Sequence, residues 1–140
     1  MICNRTRKKV IAEQEQFCST TLSQARGLMF TIRPRPLVFA FRAERILSFH
    51  MLFVFYPIDV LFLDRNQSVI EMKEHFMPFT LYATKRPAQY AIELAAGTIR
   101  KTGTRLGDAI MLGPEHLPSQ QKNNRFIKEN NSPGHCGGVV

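Results

Sequence analysis

A chain of 140 residues with 44% hydrophobic side chains, 11 Phe and no Trp is too rich in apolar groups to be disordered and too short for two cores. A formal charge of +8 would suit an anionic partner, but the cations are scattered; Arg5, Arg7, Lys8 and Lys9 form the one tight group, and a solvated surface is the simpler reading. Cys3, Cys18 and Cys136 make no C-x-x-C pair, and the basic N-terminus has no apolar run behind it, so neither a zinc or redox dithiol site nor a secretory leader is expected and cytoplasm is the default.

In chain order, a basic segment at 1–7 precedes KKVIAEQEQFC (8–18), which alternates weakly and predicts a strand or hairpin arm. In STTLSQARGLMF, Thr21 can cap a short helix, Gln24 completes a capping box and Gly27 can take the left-handed position beyond its end. Arg26 then falls in the last turn, where a cation complements the helix dipole. The two prolines of IRPRP (32–36) forbid a helix and make a connector.

LVFAF (37–41) predicts a strand, RAERI a turn and SFHMLFVF a further strand, with Phe39, Phe41, Phe53 and Phe55 at alternate core positions. PIDVLFLD and SVIEMKEH, joined by a turn at Arg65, Asn66 and Gln67, predict a hairpin over 58–74. MPFTLY and QYAIELA supply two more strands around a turn at 85–87. A short helix over about 97–101 ends at Gly103, and a turn at Gly107 and Asp108 leads into a last strand. Residues 113–140, rich in Asn, Gln, Gly, Pro and Ser, are expected to form a disordered tail. Together these predict a mainly β, single-domain sandwich or barrel over residues 8–112, with about seven or eight short strands and two short helices.

ILSFHMLFVFYPIDVLFL (46–63) is as long as a bilayer helix requires, yet His50, Pro57 and Asp59 lie inside it. An aspartate near the bilayer midplane is costly, so no membrane span is expected. Instead, a period of two in PIDVLFLD puts Ile58, Val60 and Phe62 on one face and Asp59, Leu61 and Leu63 on the other. Both faces are apolar, so the Asp59 carboxylate needs a cation or several donors, and Arg26 and His50 are the obvious candidates. A buried pair that fixes packing is the simpler account of such a group than a ligand site.

A hydrolytic triad would pair His50 with Ser48 or Cys18 as nucleophile and Asp59 as orienter, and is the main rival reading. His50, His75 and Asp59 lack metal-ligand spacing, so neither a metal nor a cofactor is expected. The helix start at Gly97 offers backbone N–H groups to an anion, with Lys85, Arg86, Arg100 and Lys101 available to assist. Nucleic-acid binding is the weakest of the readings, because no aromatic strand motif with flanking basic residues is present.

ARGLMF at 25–30, HMLFVFYPIDVLFLD at 50–64, AQYAIELAAG at 88–97 and GDAI at 107–110 occur in an order and spacing that resemble the domain-of-unknown-function family number 192, in its archaeal form. The resemblance runs from about Lys8 to Leu112 and implies a compact, mainly β domain with short helices. The family supplies no established activity, and the positions matching its polar motif residues are Arg26, His50, Asp59, Asp64, Glu93, Gly97 and Asp108. Two positions depart from the pattern: Ala95 stands where Pro is frequent, and His50 stands where Trp is commoner.

The combined expectation is a small non-enzymatic domain that binds a small or anionic ligand or a protein partner. Arg26, His50, Asp59, Glu93 and Gly97 would line or support its site, and Gly27, Asp64, Gly107 and Asp108 would shape the backbone.

Overall fold

The computed structural model describes residues 1–14, the backbone of 16–18, and residues 33–113. In chain order its strands are β1 (Ile2–Asn4), β2 (Lys9–Ala12), β3 (Gln16–Cys18), β4 (Leu37–Arg45), β5 (Ser48–His50), β6 (Ile58–Leu63), β7 (Val69–Phe76), β8 (Leu81–Ala83), β9 (Ala88–Ala95) and β10 (Ile110–Met111). The described helix is α1 (Thr98–Thr102), between β9 and β10. The short helix expected around Thr21, with Arg26 and Gly27, lies outside the described residues, as does the expected tail beyond Gly113.

Every residue of β6 is buried, as its unbroken apolar run demands of a strand covered on both faces. It pairs antiparallel with β7 on one side and β9 on the other; β9 pairs antiparallel with β4, and β3 joins β4 in parallel. The resulting five-stranded sheet has the order β3-β4-β9-β6-β7. Ile58, Val60 and Phe62 point into one apolar cluster with Phe39, Ala91 and Phe76, and Leu61 and Leu63 point into a second with Val38, Tyr90 and Ile92. The alternation in the sequence therefore gives both faces of β6 correctly.

A ribbon of β5 and β8 covers the first face. Phe49 and Tyr82 drop from it into the core, with ring centroids 5.6 Å from Phe62 for Phe49 and 5.8 Å for Tyr82. The second face is covered by α1, through Ile99, and by a three-stranded sheet of order β10-β1-β2, through Ile2, Ala12 and Ile110. The domain is mainly β, as expected, and the three sheets of the described residues are open rather than closed into a barrel.

Three local expectations are corrected. Arg42, Ala43, Glu44 and Arg45 form no turn: β4 runs through them, because Arg45 still pairs with Ala88 beyond a shift in register. SFHMLFVF is strand only to His50, and Phe53 and Phe55 are exposed instead of core. The backbone of Met51 bonds to Thr80 and Phe79, which turns the chain away from the sheet, and Phe53 takes a left-handed φ of 57°. Residues 1–7, set apart above as a basic segment, supply β1, in which Ile2, Cys3 and Asn4 are all buried.

Candidate functional site

Adjacent strands β6 and β9 carry two buried carboxyl groups directed to opposite faces of the same sheet. Asp59 lies across from Leu94, whereas Glu93 lies across from Val60 on one side and Leu37 on the other. Residues directly opposite in a ladder share a face, so Asp59 belongs to the α1 side and Glu93 to the ribbon side.

Asp59 has no exposed surface. Its Oδ1 accepts the His75 backbone N–H at 3.1 Å and its Oδ2 accepts the Ile99 backbone N–H at 2.9 Å. The first donor comes from a bulge. Between Ile58 and Val60 the β6–β7 register shifts, and His75 adopts a left-handed φ of 47°, which frees its N–H from the ladder. The second donor is in the first turn of α1, whose N-cap, Gly97, has φ 86° and no capping side chain. Asp59 thus does from a neighbouring strand what a capping Ser or Asp does within a helix.

Among the described residues Asp59 meets two neutral backbone donors, and oriented N–H groups satisfy a carboxylate as a cation does; Arg26, one of the cations expected beside it, lies outside those residues. The N–H groups expected to await an anion at the Gly97 helix start are partly spent, since Ile99 donates to the chain's own carboxylate. His50 is exposed on β5, opposite Leu81, in the ribbon that covers the face away from Asp59. With both Asp59 oxygens engaged elsewhere, Asp59 does not orient His50, and the geometry required by the hydrolytic reading is not formed.

Glu93 is 6% exposed, and among the described residues its Oε2 meets no hydrogen-bond partner. Removal from water pushes its carboxyl up to about 8, so the neutral acid prevails at physiological pH. Beyond it on the same face is Ala95, the last residue of β9 and exposed, which places Glu93 one step inside the end of the sheet.

The remaining motif residues shape backbone. Asp64 Oδ1 accepts the N–H groups of Asn66 at 2.8 Å and Ser68 at 2.9 Å, and so organises the β6–β7 turn. Gly107 takes φ 84° and donates its N–H to the Val69 carbonyl. Asp108 Oδ2 accepts Asn4 Nδ2 at 2.8 Å, Arg7 Nε at 3.1 Å and the Arg105 N–H at 2.9 Å. Burial alone would raise the Asp108 carboxyl, but these donors and the Arg7 charge outweigh it and hold the carboxyl below its ordinary range.

A group depressed in this way adds stability above its unfolded pKa and loses it as pH falls through the folded one. Asn4→Ala is therefore expected to cost about 2 kcal/mol at neutral pH, where a charged acceptor loses a buried donor, and less in acid. Urea melts of both proteins at neutral and acid pH measure this; an equal loss at both would show that Asn4 acts by packing alone.

Asn4 and the pair Tyr82 and Glu71 are not singled out by the sequence, and Arg7 is read there only as one of a basic group. Tyr82 Oη donates to Glu71, and Lys73 Nζ lies 5.2 Å from the Tyr82 ring, which fastens the ribbon to β7. The one legible signal is I-C-N-R-T followed by K-V-I, two apolar runs around a polar turn, a pattern typical of a hairpin.

What these residues define is a small, mainly β domain built around a sheet with two buried carboxyls. The chain belongs to the domain-of-unknown-function family number 192, described as Uncharacterized ACR, whose model matches residues 2–112. It is 35% identical over 113 residues to a UPF0127 protein of Thermococcus sibiricus, covering 79% of this chain and 73% of that one. A UPF0127 protein of Pyrococcus furiosus is 32% identical over 109 residues, covering 76% and 93%.

Among solved structures, a Sinorhizobium meliloti protein provisionally described as a transcription regulator superposes with a TM-score of 0.66 at 24% identity, over 69% of this chain and 79% of that one. A protein of unknown function from Novosphingobium aromaticivorans gives the same TM-score at 21% identity, over 70% and 74%. At these identities the likeness is one of fold. No described helix is long and apolar enough to cross a membrane.

Proposed function

We propose that this is a non-enzymatic binding domain whose ligand is read by Glu93. The observation that carries the reading is an acid kept neutral among apolar neighbours, with one oxygen satisfied by nothing in the described chain. Left unsatisfied, a buried polar atom costs about 1–3 kcal/mol, and a ligand that supplies its partner recovers that cost on binding. An anion would be repelled as soon as Glu93 ionised. The ligand class that fits is a small molecule with an apolar body and a hydrogen-bonding head, above all an amine.

Asp59 takes no part in contact with the ligand in this reading. It fixes α1 and the β7 bulge, and so the shape of the sheet end where Glu93 lies. The nucleic-acid reading draws no support from a neighbour's description at 24% identity.

An amine draws the carboxyl back to its charged form, so its binding should release a proton and tighten as pH rises towards 8. A thermal-shift panel of small alkyl and aryl amines, amides and carboxylates tests this on the wild type and on Glu93→Gln. The expected result is a shift by amines in the wild type that disappears in a folded Glu93→Gln protein. Equal shifts in the two proteins would place the ligand elsewhere, and selective binding of carboxylates would overturn the reading.

A further inference from the structure

The loops that leave the Ile58 and Phe76 end of the central sheet expose an apolar surface that the core does not use. Leu52 is 44% exposed, Phe55 64%, Met77 53%, Phe79 58% and Leu81 76%. These residues come from two separate stretches brought together in one place. The Met51 N–H donates to Thr80, the Phe79 N–H donates back to Met51, and the Phe55 and Phe79 rings meet edge to face at 5.9 Å.

The backbone is held in an unfavourable form to keep the loops so. Phe53 and Phe79 have φ values of 57° and 59°, a region bulky side chains rarely enter and one that costs of order 1 kcal/mol or more per residue. A chain selected only for solubility would carry polar residues or Gly there.

Charge decides what could cover this surface. Residues 46–58 and 77–84 contain no Asp or Glu. The exposed Arg33 and Arg35 lead into β4, which starts at the same end of the sheet, since Leu37 is level with Glu93 and Val60. Asp59 and Glu93 at that end are buried, and Glu74 is the exposed carboxylate on the neighbouring strand β7. Aromatic and aliphatic side chains on paired stretches that carry no acid of their own, with two exposed arginines at the same end of the sheet, match the interface of an anionic bilayer, where apolar groups enter the acyl boundary and cations meet the headgroups.

We infer that this apex docks on an anionic lipid surface, with Phe55, Phe79 and Leu81 inserted and Arg33 and Arg35 against the headgroups. The inference does not rest on Glu93 and stands or falls separately from the ligand reading.

Co-sedimentation of the full chain with phosphatidylcholine vesicles and with phosphatidylcholine/phosphatidylserine vesicles tests it. Binding to the second, weakened by salt, is expected, and Phe55→Ser/Phe79→Ser/Leu81→Ser should reduce it about a hundredfold without changing the melting temperature, because the three side chains contribute little to the core. Arg33→Ser/Arg35→Ser should reduce binding to the anionic vesicles and remove its salt dependence. Sedimentation with neither vesicle, or unchanged binding by the triple serine variant, would overturn the inference. So would a wild-type dimer in sedimentation velocity that the triple variant dissolves, which would assign the apex to a second copy of the chain.

Discussion

Glu93→Gln is expected to stabilise the domain by about 3 kcal/mol at pH 7 and to change almost nothing near pH 4. The Glu93 carboxyl ionises near 8 in the folded domain, against an ordinary value of 4.5. Below that ordinary value both states hold the proton and no difference arises. Above it the unfolded chain releases its proton while the folded one retains it, so stability drains away by about 1.4 kcal/mol for each pH step of one and levels off beyond about 8. Glutamine has nearly the same shape as the protonated acid and no charge to expose, so it escapes this loss. Urea melts of both proteins from acid to alkaline pH give the result directly. Parallel profiles, with no divergence above the ordinary carboxyl range, would mean that Glu93 finds a partner in the folded chain.

Asp59→Ala is expected to have the opposite sign, a loss of about 3–5 kcal/mol, because it strands two buried N–H groups and opens a polar gap beneath the sheet. The damage should be local before it is global. With Ile99 no longer held, α1 and the Gly97 turn should exchange amide protons faster than β6 and β9 do, and His75 should join them. Asp59→Asn keeps an acceptor for one of the two N–H groups but sets its own NH2 against the other, so a smaller loss of about 2 kcal/mol is expected. Denaturant melts combined with amide exchange distinguish this from a general softening; uniform loss of protection across all strands would show that Asp59 does not act through α1 and the bulge.

The opposite signs expected of two carboxyls on adjacent strands come from what each meets. Asp59 is at a point where the bulge of β7 and the first turn of α1 both leave an N–H without a ladder partner. Glu93 has Leu37 and Val60 beside it, which offer neither donor nor charge. The cost that Glu93 carries through folding is the ground on which it is proposed as the group that reads a ligand.

How far the sequence could reveal this differs by element. The β6–β7 hairpin and α1 are legible because their signals are local: an apolar run with a polar turn, and two glycines bracketing a short segment. Both faces of β6 follow from its period of two. The stretch after His50 misleads because alternation of Phe53 and Phe55 resembles a buried strand, while their exposure is set by bonds from Met51 to Thr80 and Phe79, far along the chain. The strand at Ile2–Asn4 has three residues and is anchored by an Asn4–Asp108 contact spanning nearly the whole domain, which no local pattern encodes.

The candidate residues fare likewise. That Asp59 needs partners is readable from its position; that they are backbone N–H groups is not, because such donors leave no mark in residue type. Grouping Asp59, Glu93, Gly97 and His50 in one site overlooks the pleat: Asp59 and Gly97 go with α1, and Glu93 goes with the face that the ribbon of His50 covers. Within that ribbon His50 itself turns outward.

The most direct test of the account is the carbon-13 chemical shift of the Glu93 side-chain carboxyl followed through a pH titration of the folded protein. A midpoint near 8, moved downward by a bound amine, is the predicted result. A midpoint in the ordinary range near 4.5 would show a carboxyl already charged and partnered, and would contradict the proposal that Glu93 is held in reserve for a ligand.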